Sequence, residues 1–109
     1  MALTPKSLSR NQLTASAVTQ YTVPGSTTTR VTELLITNTD TIQHTITVHF
    51  VPSGGSADAT NQVLPATPVE ASEALIVPLN TILAAGDFIA ALASVASQVN
   101  LLISGWEMT

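Results

Sequence analysis

Ile42-Gln43-His44-Thr45-Ile46-Thr47-Val48-His49-Phe50 alternates residue by residue, with Ile42, His44, Ile46, Val48 and Phe50 on one side and Gln43, Thr45, Thr47 and His49 on the other. A period of two with β-branched enrichment is the pattern of a half-buried strand. Immediately upstream, Thr27 to Asn38 reads as a second strand. Thr32, Leu34 and Ile36 share one face and Val31, Glu33 and Leu35 the other, so that strand is covered partly on both sides. Asn38-Thr39-Asp40-Thr41 joins the two, and the pair is expected to form a hairpin.

Further out, Ala17 to Val23 is β-rich and ends at Pro24-Gly25, which suits positions i+1 and i+2 of a type II turn. Residues 1–13 are polar and irregular, and carry Pro5, Lys6 and Arg10, which suggests an extended N-terminal arm. Downstream, Pro52-Ser53-Gly54-Gly55-Ser56 closes the central strand, and Ser56 to Gln62 has room for one short helical turn capped by Ser56 or Asp58. Strands follow at Val63 to Val69 and Ala74 to Leu79. Pro65, Pro68 and Pro78 cannot donate ladder hydrogen bonds, so these segments should border the sheets. Ala85-Gly86-Asp87 is a turn in which the carboxylate should accept nearby backbone N–H groups. Phe88 to Leu92 and the run from Val99 to Met108 complete the strands, because the alanine-rich stretch from Ile82 to Gln98 lacks helical spacing. Seven or eight short strands separated by turns predict an all-β chain, a single antiparallel β-sandwich or jelly-roll-like domain over residues 14–109 preceded by the arm at 1–13.

Composition narrows the function. The 109 residues suffice for one core. Charged residues are 9% of the chain, so serine and threonine must cover much of the exterior, and such a weakly charged surface favours self-association or a bound partner. Seven carboxylates stand against Lys6, Arg10 and Arg30, a net charge of −4 with no basic stripe, which argues against nucleic-acid binding. The absence of cysteine removes disulfides, thiolate metal sites and cysteine nucleophiles together. The opening Met1 to Lys6 has no basic region followed by an apolar one, and no apolar run reaches the roughly 18 residues of a membrane span, so neither a secretory signal nor a membrane anchor is expected.

The chemistry-bearing residues form no recognisable constellation. His44 and His49 are five apart on one strand and so face opposite ways, His44 beside the core and His49 toward solvent. The carboxylates are scattered, with no calcium loop or shared-proton pair. Ser53-Gly54-Gly55-Ser56 lacks a phosphate-loop lysine. No enzyme activity, cofactor or metal is expected. What remains are candidates for partner contact: Pro5, Lys6, Leu8, Arg10 and Leu13 of the arm, and Leu35, Ile76 and Trp106, apolar residues off the parity of their neighbours. Tryptophan is among the residues most enriched at interface centres.

The order of several motifs adds a resemblance. The opening Met1-Ala2-Leu3-Thr4-Pro5-Lys6, the run from Tyr21 to Thr29, Leu35-Ile36-Thr37-Asn38-Thr39-Asp40, Val48 to Gly55, Ala85-Gly86-Asp87 and the ending Ile103-Ser104-Gly105-Trp106-Glu107 together resemble a group of small phage virion proteins. The resemblance implies a β-sandwich component of tailed-phage particles. It would be either a capsid decoration (cement) protein bound to the major capsid protein or another virion structural protein, or a tail, neck, baseplate or fibre accessory. A homo-oligomer, with a trimer favoured, would follow from closed symmetry around a local axis of the shell.

Overall fold

The computed structural model describes residues 3–109. Met1 and Ala2, the start of the expected arm and of the phage-like opening, lie outside the described residues. Eight strands follow in order: β1 Leu3–Gln12, β2 Val18–Thr22, β3 Thr28–Asn38, β4 His44–Val51, β5 Gln62–Val69, β6 Ala74–Leu83, β7 Phe88–Ala93 and β8 Val99–Met108. They make two antiparallel four-stranded sheets, β1-β8-β3-β6 (sheet A) and β2-β7-β4-β5 (sheet B). This is the rolled double Greek key of a jelly roll, in which the chain changes sheet at nearly every connection.

That topology corrects the expected hairpin. β3 has β8 on one side and β6 on the other, so both its hydrogen-bonding edges are taken, and β4 lies in the opposite sheet between β7 and β5. Asn38 is where the chain crosses. Alternation identifies a strand but carries no information about its neighbour, and β4–β5 is the one consecutive pair that hydrogen-bonds.

The core lies between the sheets. Val31, Leu34 and Ile36 of β3 and Val99, Leu101 and Ile103 of β8 meet Ile46 and Val48 of β4 and Ile89, Ala91 and Ala93 of β7. Val31 and Leu34 point the same way although their spacing is odd, because the register shifts between Val31 and Glu33. A bulge at Thr32 inserts one residue and resets the parity. A second shift, between Ser7 and Ser9, lets Leu8 turn inward.

Residues 3–12, read as an arm, are extended, and they lie within the sandwich as the edge strand of sheet A along β8. Leu13, held by its amide on the Val99 carbonyl at 2.8 Å, is a core residue. The boundary drawn at residue 13 therefore falls inside the packed domain. Ser56 to Gln62 contains turns and no helix: Asp58 accepts the Thr60 amide at 2.8 Å and the Asn61 side-chain amide reaches the Ser56 carbonyl at 3.0 Å, so side chains capture the backbone groups a helix would need. At Pro24-Gly25 the left-handed residue is Ser26, with φ 56°, and not Gly25, because the turn sits one position later. Asp87 behaves as expected, accepting the Ala84 amide at 2.9 Å and the Ser53 amide at 3.0 Å beside Gly86, whose φ is 88°.

His49 also departs from expectation. Its ring points away from the core, opposite to His44, yet only 5% of it is exposed because segment 52–61 folds back over that side of β4. Its Nδ1 donates to the Asp58 carbonyl at 3.0 Å and to Asn61 Oδ1 at 2.9 Å.

Candidate interaction surface

The outer face of sheet A gathers residues from distant parts of the chain. Antiparallel register places Pro5 beside Trp106, Trp106 beside Arg30, and Arg30 beside Ile82 in one transverse row. A second row runs Arg10, Leu102, Leu35, Ile76. Thus five of the eight candidates, Pro5, Arg10, Leu35, Ile76 and Trp106, share one face. The other three do not. Leu8 and Leu13 belong to the core, where the β1 bulge and the turn into β2 direct them, and cannot meet a partner in the folded chain. Lys6 sits opposite Gly105 with inward parity at the sandwich end, and its ammonium reaches Glu107 at 3.1 Å.

Leu3, Arg30, Pro78 and Ile82, which sequence reasoning missed, lie on the same face, as do Leu102 and Met108, the neighbours of Trp106 along β8. Ile76 is 60% exposed, Leu3 58% and Ile82 52%, large apolar side chains left in solvent. In β6 the signal was legible in principle, since Leu75, Val77 and Leu79 pack on the core while Ile76, Pro78 and Ile82 take the opposite parity. A strand that is apolar on both faces is one that expects cover on both. Leu3, Arg30, Trp106 and Met108 line a shallow depression of about 300 Å³ at one end of this face.

Two side-chain networks lie elsewhere. In the first, His44 Nε2 meets Asp40 Oδ2 at 2.7 Å and its Nδ1 lies 3.3 Å from Ser94 Oγ. The order Asp–His–Ser is that of a serine triad with the two ring nitrogens exchanged, and sequence reasoning did not assemble it because Ser94 is brought in by β7. These groups are also tied to the backbone. Ser94 Oγ accepts the Thr45 amide at 3.0 Å and the Ser94 amide donates to the Thr45 carbonyl at 2.9 Å, closing the chain around the β3–β4 crossing. The hydrogen bond from His44, with help from the Thr41 amide, holds the Asp40 carboxyl below its ordinary value. No group of three or more His, Cys, Asp or Glu side chains that could hold a metal occurs among the described residues.

In the second network, Tyr21 of sheet B donates its hydroxyl hydrogen to Glu107 Oε2 at 2.5 Å and lies 2.9 Å from Thr29 Oγ1, bridging the two sheets at one end. Burial and the neighbouring Glu107 push the Tyr21 hydroxyl up to about 12 from 10.0, and the same hydrogen bond, with lesser help from Lys6, holds Glu107 below its usual 4.5. The signs differ. The Glu107 contribution is fully present above 4.5 and is lost as pH falls through the lowered value, whereas the Tyr21 contribution is present below 10.0 and is lost as pH rises toward about 12. Urea titrations across pH should therefore show Glu107→Gln flattening the acid limb and Tyr21→Phe flattening the alkaline limb. Limbs unchanged by both substitutions would mean that this bridge is not formed in solution.

No protein-family model matches the chain, and no curated protein matches its sequence. Solved structures match its fold. A chain in the structure of infectious bursal disease virus, Gx strain, superposes with a TM-score of 0.52 at 14% identity, covering 97% of this chain and 32% of that one. A chain in the structure of the Gt strain of the same virus gives 0.48 at 9% identity, covering 97% and 30%. This chain thus spans about a third of the length of the chains it matches. The likeness is one of fold.

Proposed function

We propose that this protein is a structural component of a virus particle, specifically a decoration (cement) protein on the capsid of a tailed phage, which binds the assembled shell and stabilises it. The observation that carries this reading is the group of exposed apolar side chains, Leu3, Ile76 and Ile82, on the outer face of sheet A, in a domain whose core is already complete between its sheets. Exposed apolar side chains clustered in this way mark a surface that a partner covers. The jelly-roll strand order supports the reading, since viral capsid domains are among its commonest uses, and so does the likeness of fold to a chain of a virus particle. The motif order that resembles small phage virion proteins points the same way. We read the protein as non-catalytic, because the serine of its Asp–His–Ser arrangement is engaged by the Thr45 backbone through both its hydroxyl and its amide.

Cementing works by mass action: a protein that binds only the assembled shell shifts the equilibrium away from its disassembly. Quantitative mass spectrometry of purified particles is expected to give a copy number approaching that of the major capsid protein. Particles lacking the protein should release their genome at lower temperature. A ratio of a few per cent or less would overturn decoration and move the protein to the tail, neck, baseplate or a fibre, the second location the phage resemblance allows. Truncating residues 1–13 is not a usable binding test, because it would strip an edge strand and remove Leu8 and Leu13 from the core.

A further inference from the structure

Among the described residues, the outer face of sheet A carries three charges without an ion-pair partner, Arg10 on the edge strand β1 and Arg30 and Glu33 on the interior strand β3. Arg30 and Glu33 both lie on β3, an interior strand of the sheet, and both project outward: Arg30 is exposed beside Trp106 and Ile82, and Glu33 is paired in register with Ser104 and Pro78. Neither forms an ion pair among the described residues, where the ion pairs are Lys6 with Glu107 and His44 with Asp40. Whatever covers β3 must meet an uncompensated cation and an uncompensated anion three residues apart on one strand. An apolar surface would bury both without compensation, and a surface of one sign would satisfy only one of them.

A second copy of the same face satisfies both. We infer that two copies of this chain pair through the outer faces of sheet A about a two-fold axis that runs in the plane of the interface, across the strands, between the rows of Arg30 and Glu33. That operation stacks β3 antiparallel on the β3 of the second copy, so each Arg30 meets a Glu33 across the interface, and each pair generates the other as an isologous contact requires. The same operation, acting on β8, lays the bulky Trp106 of one copy over the small Ser104 of the other and Met108 over Leu102, which fills the depression beside Arg30. Aligned packing of two sheet faces is an ordinary arrangement, with strands crossing at roughly 30°. The pairing replaces the trimer expected from shell symmetry with a dimer. It is a property of the chain itself and does not depend on where in a particle the protein resides.

Sedimentation velocity of the isolated full chain over a range of concentrations tests it. The wild type is expected to be a dimer. Arg30→Glu places only acidic groups at the paired positions and Glu33→Arg only basic ones, so each single variant should be monomeric, with dimerisation weakened about 100-fold or more by like-charge contact. The decisive arm is mixture. The two monomeric variants combined at equal amounts should form a heterodimer, and R30E/E33R, which exchanges the charges, should regain the homodimer. Circular dichroism establishes that each variant is folded, as expected for substitutions at surface positions. A wild-type monomer at all concentrations, a trimer, a dimer indifferent to both single substitutions, or single variants that fail to combine would overturn the pairing. If the isolated chain is monomeric while particles hold it in high copy, the pairing is overturned, another virion protein covers the face, and the proposed location still stands.

Discussion

Replacing Gly105 by alanine is expected to destabilise the protein by roughly 3 kcal/mol or more, the upper range for overpacking, because the added methyl group would overlap the backbone carbonyl oxygen of Arg30. Gly105 lies on the inner side of β8 opposite Lys6 of β1 and Val31 of β3, next to the bulge that resets β3. The bulge bends the backbone of β3 toward β8 at this point, and only a residue without a Cβ leaves room for it. The obstruction is main chain on an interior strand, which cannot rotate aside as a side-chain tip can. Relief requires the β3–β8 ladder to open, and Leu8 Cδ1, 3.1 Å from the new methyl, blocks movement toward the core. In a domain of this size each kcal/mol shifts the melting temperature by roughly 4 °C or more, so calorimetry should show a drop on the order of 12 °C. Gly25→Ala is the internal control. Nothing lies within 4 Å of a Cβ at Gly25 and its φ is outside the left-handed region, so its melting temperature should be unchanged or slightly raised. A Gly105→Ala protein as stable as the wild type would mean that β8 and β3 stand further apart than described.

Gly105 also illustrates which parts of this fold could be read in the sequence. Strand positions were legible because alternation reports the environment of each side chain directly: β4 declares itself through Ile46 and Val48, and β8 through Val99, Leu101 and Ile103. Pairing was not legible, because the partner of a strand is decided by the sum of all crossings, and the same alternation would serve β3 beside β4 or beside β8. Bulges were equally hidden. A residue inserted at Thr32 or near Leu8 shifts every later side chain to the other face, and nothing in the local composition marks it. His49 was misplaced for a related reason: parity correctly turned it away from the core, but a serine- and glycine-rich loop that looks solvated folds over it. The candidate surface was half legible. Leu35, Ile76 and Trp106 stand out as apolar residues on the wrong parity, whereas Arg30 reads as an ordinary solvated charge until the register sets it in an apolar row.

The crossing at Asn38 carries the second large effect. Asn38 ends β3 fully buried, and its side chain substitutes for a short piece of sheet: Nδ2 donates to the Ile42 carbonyl at 2.9 Å and to the Val69 carbonyl at 3.0 Å, while Oδ1 accepts the Asp40 amide at 3.0 Å. Its own amide donates to the Glu73 carbonyl at 2.9 Å. One residue thereby ties the end of sheet A to the start of β4 and the end of β5 in sheet B. Asn38→Ala removes three hydrogen bonds, the buried one to Val69 and the part-buried ones to Ile42 and Asp40, and is expected to cost about 2–4 kcal/mol. Asn38→Asp should be worse at neutral pH, because it replaces an amide donor with a carboxylate oxygen aimed at two carbonyl oxygens in a buried site. Burial and that repulsion raise the pKa of the introduced acid in the folded state above its unfolded value. The sign follows: the neutral acid is the form the fold tolerates, so stability is retained below the unfolded pKa and lost as pH rises through the folded one. Urea midpoints at pH 7 should therefore rank wild type above Asn38→Ala above Asn38→Asp, and the gap between the two variants should narrow toward pH 4. If both variants unfold with the wild type at pH 7, the crossing between the sheets is held by the surrounding backbone and Asn38 is dispensable.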